Sequence, residues 1–342
     1  MMRQLTKDAG KRRQMARRVA CAAALAAAVL GTASACSGLV EPGSSVEPYG
    51  PFGAWGTAAR IETVAPGAGP TFNTTAVEGC PSVSRDGKTF FIASNRPGSQ
   101  GTDIWVARRA STDLPWGEPA NMGEPVNSPA NDFCPMASRD SREFYFVSNR
   151  PGGCGGDDIY VTRFKDDGTV EAPQNLGCSV NSPANEAGPV PIVEPGGSTR
   201  LYFSSTRPGG ASPEADGATT GDADLYSSVV TAGSYAAPTL VEGVNSAQED
   251  GQPYIQHDGL ELYFFSTRPG GFGAQDIWRT TRARVQDAWS APVNLGESVN
   301  SSAGETRPSM SWDGTTLYFG STRLTGESNI YVSTRPVVAA PR

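Results

Sequence analysis

Histidine is nearly absent from this chain of 342 residues, in which His257 is the only one. No pair of its six cysteines has the spacing of zinc ligands, so a structural zinc site is not expected. A Ser-His-Asp or Cys-His catalytic site would have to use His257, which precedes Asp258-Gly259 and should lie on an exposed turn. Gly-x-Ser-x-Gly and phosphate-binding motifs are also missing, which argues against nucleophilic catalysis and nucleotide binding.

Basic residues are outnumbered: 28 Lys and Arg stand against 35 Asp and Glu, giving a net charge of −7. Nucleic-acid binding needs a basic surface, so a nucleic-acid partner is not expected. Aromatic residues make up only 8% of the chain, whereas turn formers are abundant, with 40 Gly and 27 Pro. This composition is typical of many short strands joined by tight turns.

Long apolar runs are also lacking, except near the N-terminus. There, five basic residues between Lys11 and Arg18 precede the apolar segment Val19 to Leu30, which is too short for a confident membrane span. Residues 1–35 are therefore predicted to be a signal peptide. Residues 36–53 are rich in Gly, Ser and Pro and are predicted to be a flexible tether.

The sequence Ala33-Ser34-Ala35-Cys36 joins these two segments and allows two interpretations. Small residues directly before a cysteine resemble a bacterial lipobox, in which Cys36 becomes the lipidated first residue. The same Ala-x-Ala pattern also fits ordinary signal-peptide cleavage. We expect export to the cell envelope, as a membrane-anchored lipoprotein in the periplasm or on the cell surface, with ordinary secretion as the alternative.

A short motif, Ser-Asn/Thr-Arg-Pro-Gly, recurs through the rest of the chain. It begins at Ser94, Ser148, Ser205 and Ser266, and a truncated copy begins at Ser321. A proline opens each repeat, at Pro81, Pro135, Pro189, Pro253 and Pro308, with spacings of 54, 54, 64 and 55 residues. Repeats of roughly 40–50 residues with four strands each are the signature of propeller blades.

The fifth repeat ends before its fourth strand. The missing piece lies at the other end of the propeller segment, where Ala54-Trp55-Gly56 and Ile61-Glu62 resemble a fourth strand and Asn73-Thr74-Thr75 resembles the Val-Asn-Ser loop. Closing the ring in this way removes two exposed sheet edges. The sequence therefore predicts an all-β, five-bladed β-propeller over 54–342, with the last blade completed by the N-terminal strand.

The fourth repeat shows the pattern most fully, in Asp258-Gly259, Leu262 to Gly271, Asp276 to Trp278 and Pro292 to Asn300. It resembles the bacterial WD-repeat-like propeller repeats that are also found in TolB, and the resemblance covers about 54 to 336. The resemblance implies an envelope protein that binds other molecules through one propeller face, and it implies no single activity. TolB-like proteins also have a separate N-terminal domain, for which this chain has no room, so a Tol-system role is not inferred.

Two sets of charged residues recur once per repeat. The acids lie three positions before the opening prolines, at Glu78, Asp132, Glu186, Asp250 and Glu305, and the arginines of the motif are Arg96, Arg150, Arg207, Arg268 and Arg323. Both sets should surround one mouth of the central channel, as candidate binding residues. Local pairing between them is the favoured interpretation. The alternatives are a ligand or cation site and a catalytic carboxylate pair. The Asp of each Asp-Ile-Trp segment competes for the same Arg.

The third repeat has extra residues between Gly209 and Asp224. They include Glu214, Asp216 and Asp222, which together with Asp224 would allow a bound calcium ion. The stretch does not match an EF-hand, and a solvated loop is the favoured interpretation. No other cofactor is expected.

Export also bears on the cysteines. Cys21 lies in the predicted signal peptide and Cys36 is the candidate lipid site, which leaves an even number for disulfides in an oxidising compartment. Cys80 and Cys134 occupy the same position in neighbouring blades, so we predict that they pair. Cys154 and Cys178 lie in loops that should share one face of the propeller, so we predict a second bond between them.

The predicted function is a non-enzymatic binding or scaffold module for an envelope protein or glycan, built as a monomeric propeller with a lipid anchor. The alternative is a carboxylate-dependent glycan-cleaving enzyme, which rests on analogy with other five-bladed propellers. A rim on which every acid pairs with Arg would favour binding, whereas a cleft with two unpaired carboxylates would favour the enzyme. Trp55, Trp116 and Trp289 occupy equivalent positions and are interpreted as packing residues.

Overall fold

The structure of this protein is a computed structural model that describes residues 52–64, 72–165, 167, 169–194, 197–211 and 221–338. The predicted signal peptide, Cys36 and nearly all of the predicted tether lie outside these residues. Five antiparallel sheets form a five-bladed β-propeller with almost no helix, as predicted. Within the described ranges, no helix is long and apolar enough to cross a membrane.

The strands of each blade run from the innermost, A, to the outermost, D. The chain begins with β1 (Ala59–Arg60) and one helical turn, α1 (Ile61–Val64). The first blade contains β2 (Glu78–Val83), β3 (Thr89–Ser94), β4 (Asp103–Arg108) and β5 (Ala120–Asn121). The second contains β6 (Asp132–Ala137), β7 (Glu143–Ser148), β8 (Asp158–Arg163) and β9 (Gln174–Asn175).

The remaining blades follow in chain order. The third contains β10 (Glu186–Val193), β11 (Thr199–Ser205), β12 (Asp224–Thr231), β13 (Ser234–Tyr235) and β14 (Thr239–Leu240). The fourth contains β15 (Asp250–Ile255), β16 (Glu261–Ser266), β17 (Asp276–Thr281) and β18 (Val293–Asn294). The last contains β19 (Glu305–Met310), β20 (Thr316–Ser321) and β21 (Asn329–Thr334), completed by β1.

The split last blade closes through β1, which pairs antiparallel with β21, with Ala59 opposite Val332 and Arg60 opposite Tyr331. One detail of the sequence prediction was wrong, because Ile61 and Glu62 form a helical turn rather than continuing the strand. The turn buries Ile61 completely and lets the Glu62 carboxylate accept a 2.7 Å hydrogen bond from the Asn73 backbone. The chain thus leaves the sheet as soon as the edge of β21 is covered.

The apolar core lies between neighbouring blades. In each B strand, two large apolar residues two positions apart are fully or almost fully buried, as with Phe144 and Phe146 in β7. Phe91 of the first blade stacks against Phe144 of the second, with ring centroids 4.9 Å apart. Each blade therefore depends on its neighbours for burial of its sheet faces.

Every A strand has a register shift at its opening proline. The residue before that proline adopts a positive φ, between 45° and 59°, at Cys80, Cys134, Gly188, Gln252 and Arg307. Proline has no N–H to donate, so it is tolerated at such a bulge. The bulges carry these five positions to the channel axis, where they line one small cavity together with the prolines.

Candidate functional site

The five repeated acids lie at the mouth that the D–A and B–C loops surround, here called the carboxylate rim. All five are completely buried. Asp132 shows the arrangement: its carboxylate accepts hydrogen bonds from the Ser128 backbone N–H at 2.6 Å and the Ser128 hydroxyl at 2.8 Å. The other four acids accept the same pair of bonds from the Ser or Thr four residues earlier. Each acid is thus covered by its own loop.

Each repeated arginine pairs with the acid of its own blade. The N–O distances are 3.4, 2.6, 3.1, 2.6 and 3.1 Å for Arg96, Arg150, Arg207, Arg268 and Arg323. Arg150 also donates to the Ser148 hydroxyl and to the Val126 carbonyl, and its guanidinium lies 5.1 Å from the Tyr160 ring centroid. The positive and negative charges on the rim therefore cancel within each blade.

The Asp of the Asp-Ile-Trp segment has a different partner. Asp158 accepts hydrogen bonds from the Cys154 backbone N–H and the Asn175 amide, and Asp276 does the same with Phe272 and Asn294. These carboxylates hold the B–C loops against the D strands. The competition for Arg that the sequence left open is thus resolved in favour of the acids on the A strands.

Sequence reasoning noted the Val-Asn-Ser loop but missed what its asparagine does. The Asn127 amide accepts from the Ile104 N–H and donates to the Ile104 carbonyl, both at 2.9 Å, and so binds the start of β4. The equivalent residues Asn73, Asn181, Asn245 and Asn300 make the same pair of bonds. Because Asn73 binds Ile330, this bond pair also joins the two ends of the propeller.

The opposite mouth, formed by the A–B turns, differs from blade to blade. Four residues after each opening proline stand Arg85, Arg139, Val193, His257 and Trp312, and we call these five residues the A–B mouth. The guanidinium carbons of Arg85 and Arg139 lie 4.8 and 5.5 Å from the Trp312 ring centroid. His257 packs on the same indole, with ring centroids 4.1 Å apart.

The two arginines at this mouth are not paired as those on the carboxylate rim are, although an acid follows each of the five positions: Asp86, Asp140, Glu194, Asp258 and Asp313. Within the described ranges, neither Arg85 nor Arg139 forms an ion pair. Burial, reinforced by the charges of Arg139 and Arg85, lowers the pKa of His257 to about 4. His257 was expected on an exposed turn, but it is half-buried because it packs on Trp312.

A groove leads outward from the A–B mouth along the second and third blades. Its volume is about 800 Å³, and Arg85 and Arg139 form its inner end. Its other charged residues are Arg142, Arg163, Lys165, Asp140, Glu143 and Glu171. Five basic groups thus face three acidic ones, in a chain whose net charge is negative. Sequence reasoning missed this groove because it forms only where residues of the first three blades meet.

Only part of the third-blade loop, the alternative calcium site, belongs to the described residues. Glu214 and Asp216 lie outside the described residues, Asp222 is exposed, and buried Asp224 accepts a hydrogen bond from the Ala211 N–H. No group of three or more His, Cys, Asp or Glu side chains in the described ranges is placed to hold a metal ion. Calcium binding remains a prediction.

Both predicted disulfides are present. Cys80–Cys134 joins the A strands of the first and second blades, with Cα atoms 4.6 Å apart. Cys154–Cys178 joins two loops of the second blade, with Cα atoms 5.5 Å apart. Disulfides form and persist in oxidising compartments outside the cytoplasm, so the pairing indicates such an environment for this chain.

Comparison with known proteins extends the fold assignment but supplies no family. No protein-family profile and no curated protein matches the chain. Among solved structures, it is similar to a thermostable family-43 glycoside hydrolase, at 13% identity and a TM-score of 0.53, covering 80% of this chain and 93% of that one. It is also similar to the endo-arabinase from Bacteroides thetaiotaomicron, at 13% identity and a TM-score of 0.52, covering 78% and 97%.

A TolB candidate from Agrobacterium tumefaciens is another neighbour, at 19% identity and a TM-score of 0.45, covering 80% of this chain and 79% of that one. At 13% identity, what the family-43 hydrolase and the endo-arabinase share with the chain is the fold. The chain is therefore a five-bladed β-propeller protein, and its function has to be argued from its own side chains.

Proposed function

We propose that this chain is an exported lipoprotein whose propeller is a non-enzymatic binding module for an envelope protein or glycan. The observation that carries the proposal is the contrast between the two mouths. Accessible groups that differ from blade to blade gather at the A–B mouth, whereas the repeated carboxylates are buried and paired. We take the A–B mouth and its groove as the binding surface.

The size and chemistry of the groove suit a bound ligand. Ligand sites are commonly clefts of about 300–1,000 Å³ in which a few polar groups fix the orientation of the ligand. This groove has about 800 Å³, with Tyr145, Phe164 and Pro191 among the basic and acidic groups. A large polar partner could lie along it and reach Trp312 at the inner end.

The glycan-cleaving alternative is less well supported. Glycosidases use two accessible carboxyl groups about 5–10 Å apart, one on each side of the scissile bond. The five rim acids have 0% exposure and already accept hydrogen bonds from their own loops and arginines. The likeness to glycoside hydrolases concerns the fold, so it adds no catalytic residue to this chain.

A glycan array probed with the full chain, followed by chromatography of the retained glycans, tests the proposal. We expect retention of a subset of glycans without release of shorter products, and weaker retention by Trp312→Ala than by the matched control Trp289→Ala. Trp312 supports Arg85 and Arg139, which line the groove, whereas Trp289 packs on the guanidinium of Arg282, 4.2 Å from its ring centroid, and Arg282 does not line the groove. Release of cleaved products would instead establish the enzymatic alternative.

The anchor is tested separately by metabolic labelling with a fatty acid. We expect the wild-type chain to be labelled and to fractionate with membranes, and Cys36→Ala to lose the label and move to the soluble fraction. An unlabelled wild-type chain would leave ordinary secretion, without affecting the argument about the groove.

A further inference from the structure

Two guanidinium groups converge on a single indole at the A–B mouth. Arg85 and Arg139 come from neighbouring blades, and both lie within 5.5 Å of the Trp312 ring centroid. Like charges that pack on one aromatic ring repel each other, most strongly where water is partly excluded. A bound anion would relieve this repulsion and would accept hydrogen bonds from both groups.

The nearby acids already have other partners. Asp140 accepts a 2.7 Å bond from the Ser138 hydroxyl and a 3.1 Å bond from the Arg142 backbone, and these bonds lower its pKa. Glu143 accepts bonds from Arg163 at 2.8 Å and from the Tyr145 hydroxyl at 2.9 Å. Asp86 likewise accepts a 2.6 Å bond from the Ser84 hydroxyl, and within the described ranges none of these three acids forms an ion pair with Arg85 or Arg139.

We propose that the A–B mouth and groove bind an acidic glycan. One carboxylate, sulfate or phosphate of the glycan contacts Arg85 and Arg139, which pack on Trp312 at the inner end of the groove. The polymer continues along the groove, where its further acidic groups meet Arg142, Arg163 and Lys165. This inference rests on the proposed binding function and adds the chemical class of the ligand.

The groove favours a glycan over an acidic peptide. Two thirds of its lining residues are charged or polar, and the apolar ones are spread along it at Tyr145, Phe164 and the Pro191–Val193 edge. Protein partners commonly anchor bulky apolar side chains in dry pockets at the centre of the interface. A hydrated polymer with regularly spaced negative charges would contact the basic residues along the whole groove.

Calorimetry with the full chain and defined polymers tests the inference. We expect polygalacturonate to bind and its fully methyl-esterified form, which has lost its charges, to bind at least about tenfold more weakly. Comparison with dextran sulfate and polyphosphate shows which acidic group binds most tightly. Poly-glutamate tests whether an acidic peptide binds instead of a glycan. The binding constant of the preferred polymer should fall steeply with added salt, because the contacts are ionic.

The double variant R85Q/R139Q locates the site. We expect it to weaken binding by about a hundredfold, since a hydrogen bond to a charged group contributes roughly 1.5–3 kcal/mol and each 1.4 kcal/mol is tenfold. The control R108Q/R284Q changes the net charge equally, at two exposed arginines outside the groove. It should bind within about twofold of the wild type.

Three outcomes would overturn the inference: no binding of any acidic glycan, tighter binding of poly-glutamate than of every glycan, or equal losses in the two double variants. The proposed binding function would survive each of them if a neutral glycan or an envelope protein still bound at the Trp312 end of the groove. Cleavage of polygalacturonate would instead refute the proposed non-enzymatic function. The two double variants would still show whether the anion binds at the A–B mouth.

Discussion

The two mouths of the propeller differ in how far their residues repeat from blade to blade. At the carboxylate rim, each blade repeats the same acid, arginine and hydroxyl, and the charges neutralise one another in the interior. At the A–B mouth, one position is occupied by Arg, Arg, Val, His and Trp in turn. A residue required by every blade serves cohesion, whereas a position with four different residue types in five blades is free to serve recognition.

Deleting residues 54–62 should have the largest effect, because it removes the contribution of the N-terminal chain to the last blade. The deletion takes away β1, exposes the edge of β21 and removes the fully buried Ile61. We expect aggregation or loss of the cooperative melting transition, measured by calorimetry and light scattering.

Deletion of residues 37–45, in the predicted tether, provides the length control and should leave the transition unchanged. A 54–62 deletion that melted with the midpoint and cooperativity of the full chain would show that closure by β1 does not hold the ring together.

Removing one arginine from the carboxylate rim and one from the groove compares the contribution of each surface to the free energy of unfolding. Arg150→Ala leaves the buried Asp132 carboxylate without its ion pair, which should cost about 3–5 kcal/mol of unfolding free energy. Arg163→Ala breaks an ion pair on the groove, in which the Arg side chain is 65% exposed, and should cost less than about 1 kcal/mol.

Urea unfolding of both variants measures the difference. Similar losses of stability would mean that the carboxylate rim is no more structural than the groove, and the division between the two mouths would fail.

The smallest expected effect concerns His257 and the dependence of stability on pH. Its folded pKa of about 4 lies below the ordinary value of about 6.5, so the fold favours the neutral imidazole. This contribution to stability is complete above pH 6.5 and is lost as the pH falls toward 4. His257→Gln should therefore lose less unfolding free energy than the wild type between pH 7 and about 4.5.

NMR titration sharpens this prediction. R85Q/R139Q should raise the pKa of His257, because two nearby positive charges are removed. An unchanged pKa would show that the two guanidinium groups do not act on the imidazole, and the proposed convergence of charge at the A–B mouth would be wrong.

The sequence predicted the repeated features well because repetition itself is informative. The five blades, the split last blade and the Cys80–Cys134 bond follow from positions that recur with a fixed spacing, whereas the Cys154–Cys178 bond follows from two loops that share one face. The helical turn at Ile61 was missed because it depends on the hydrogen bond between Glu62 and Asn73, which lies eleven residues after Glu62.

The groove was missed for a different reason. Arg142, Arg163 and Lys165 all belong to the second blade, and only the packing of that blade between the first and the third places them in one groove with Arg85 and the Pro191–Val193 edge. The residues at the A–B mouth stood out in the sequence only as departures from a common pattern. Their convergence on Trp312 depends on the geometry of the closed ring.

The place where the chain enters the propeller bears on how a ligand would be encountered. Phe52 bridges to Val337, just beyond the end of β21, and lies 3.6 Å below the Arg335 guanidinium carbon. Entry is thus on the side of the A–B turns. Phe52 also lies against Gly314, in the A–B turn of the last blade. A ligand at the A–B mouth would therefore be bound on the side from which the chain enters the propeller.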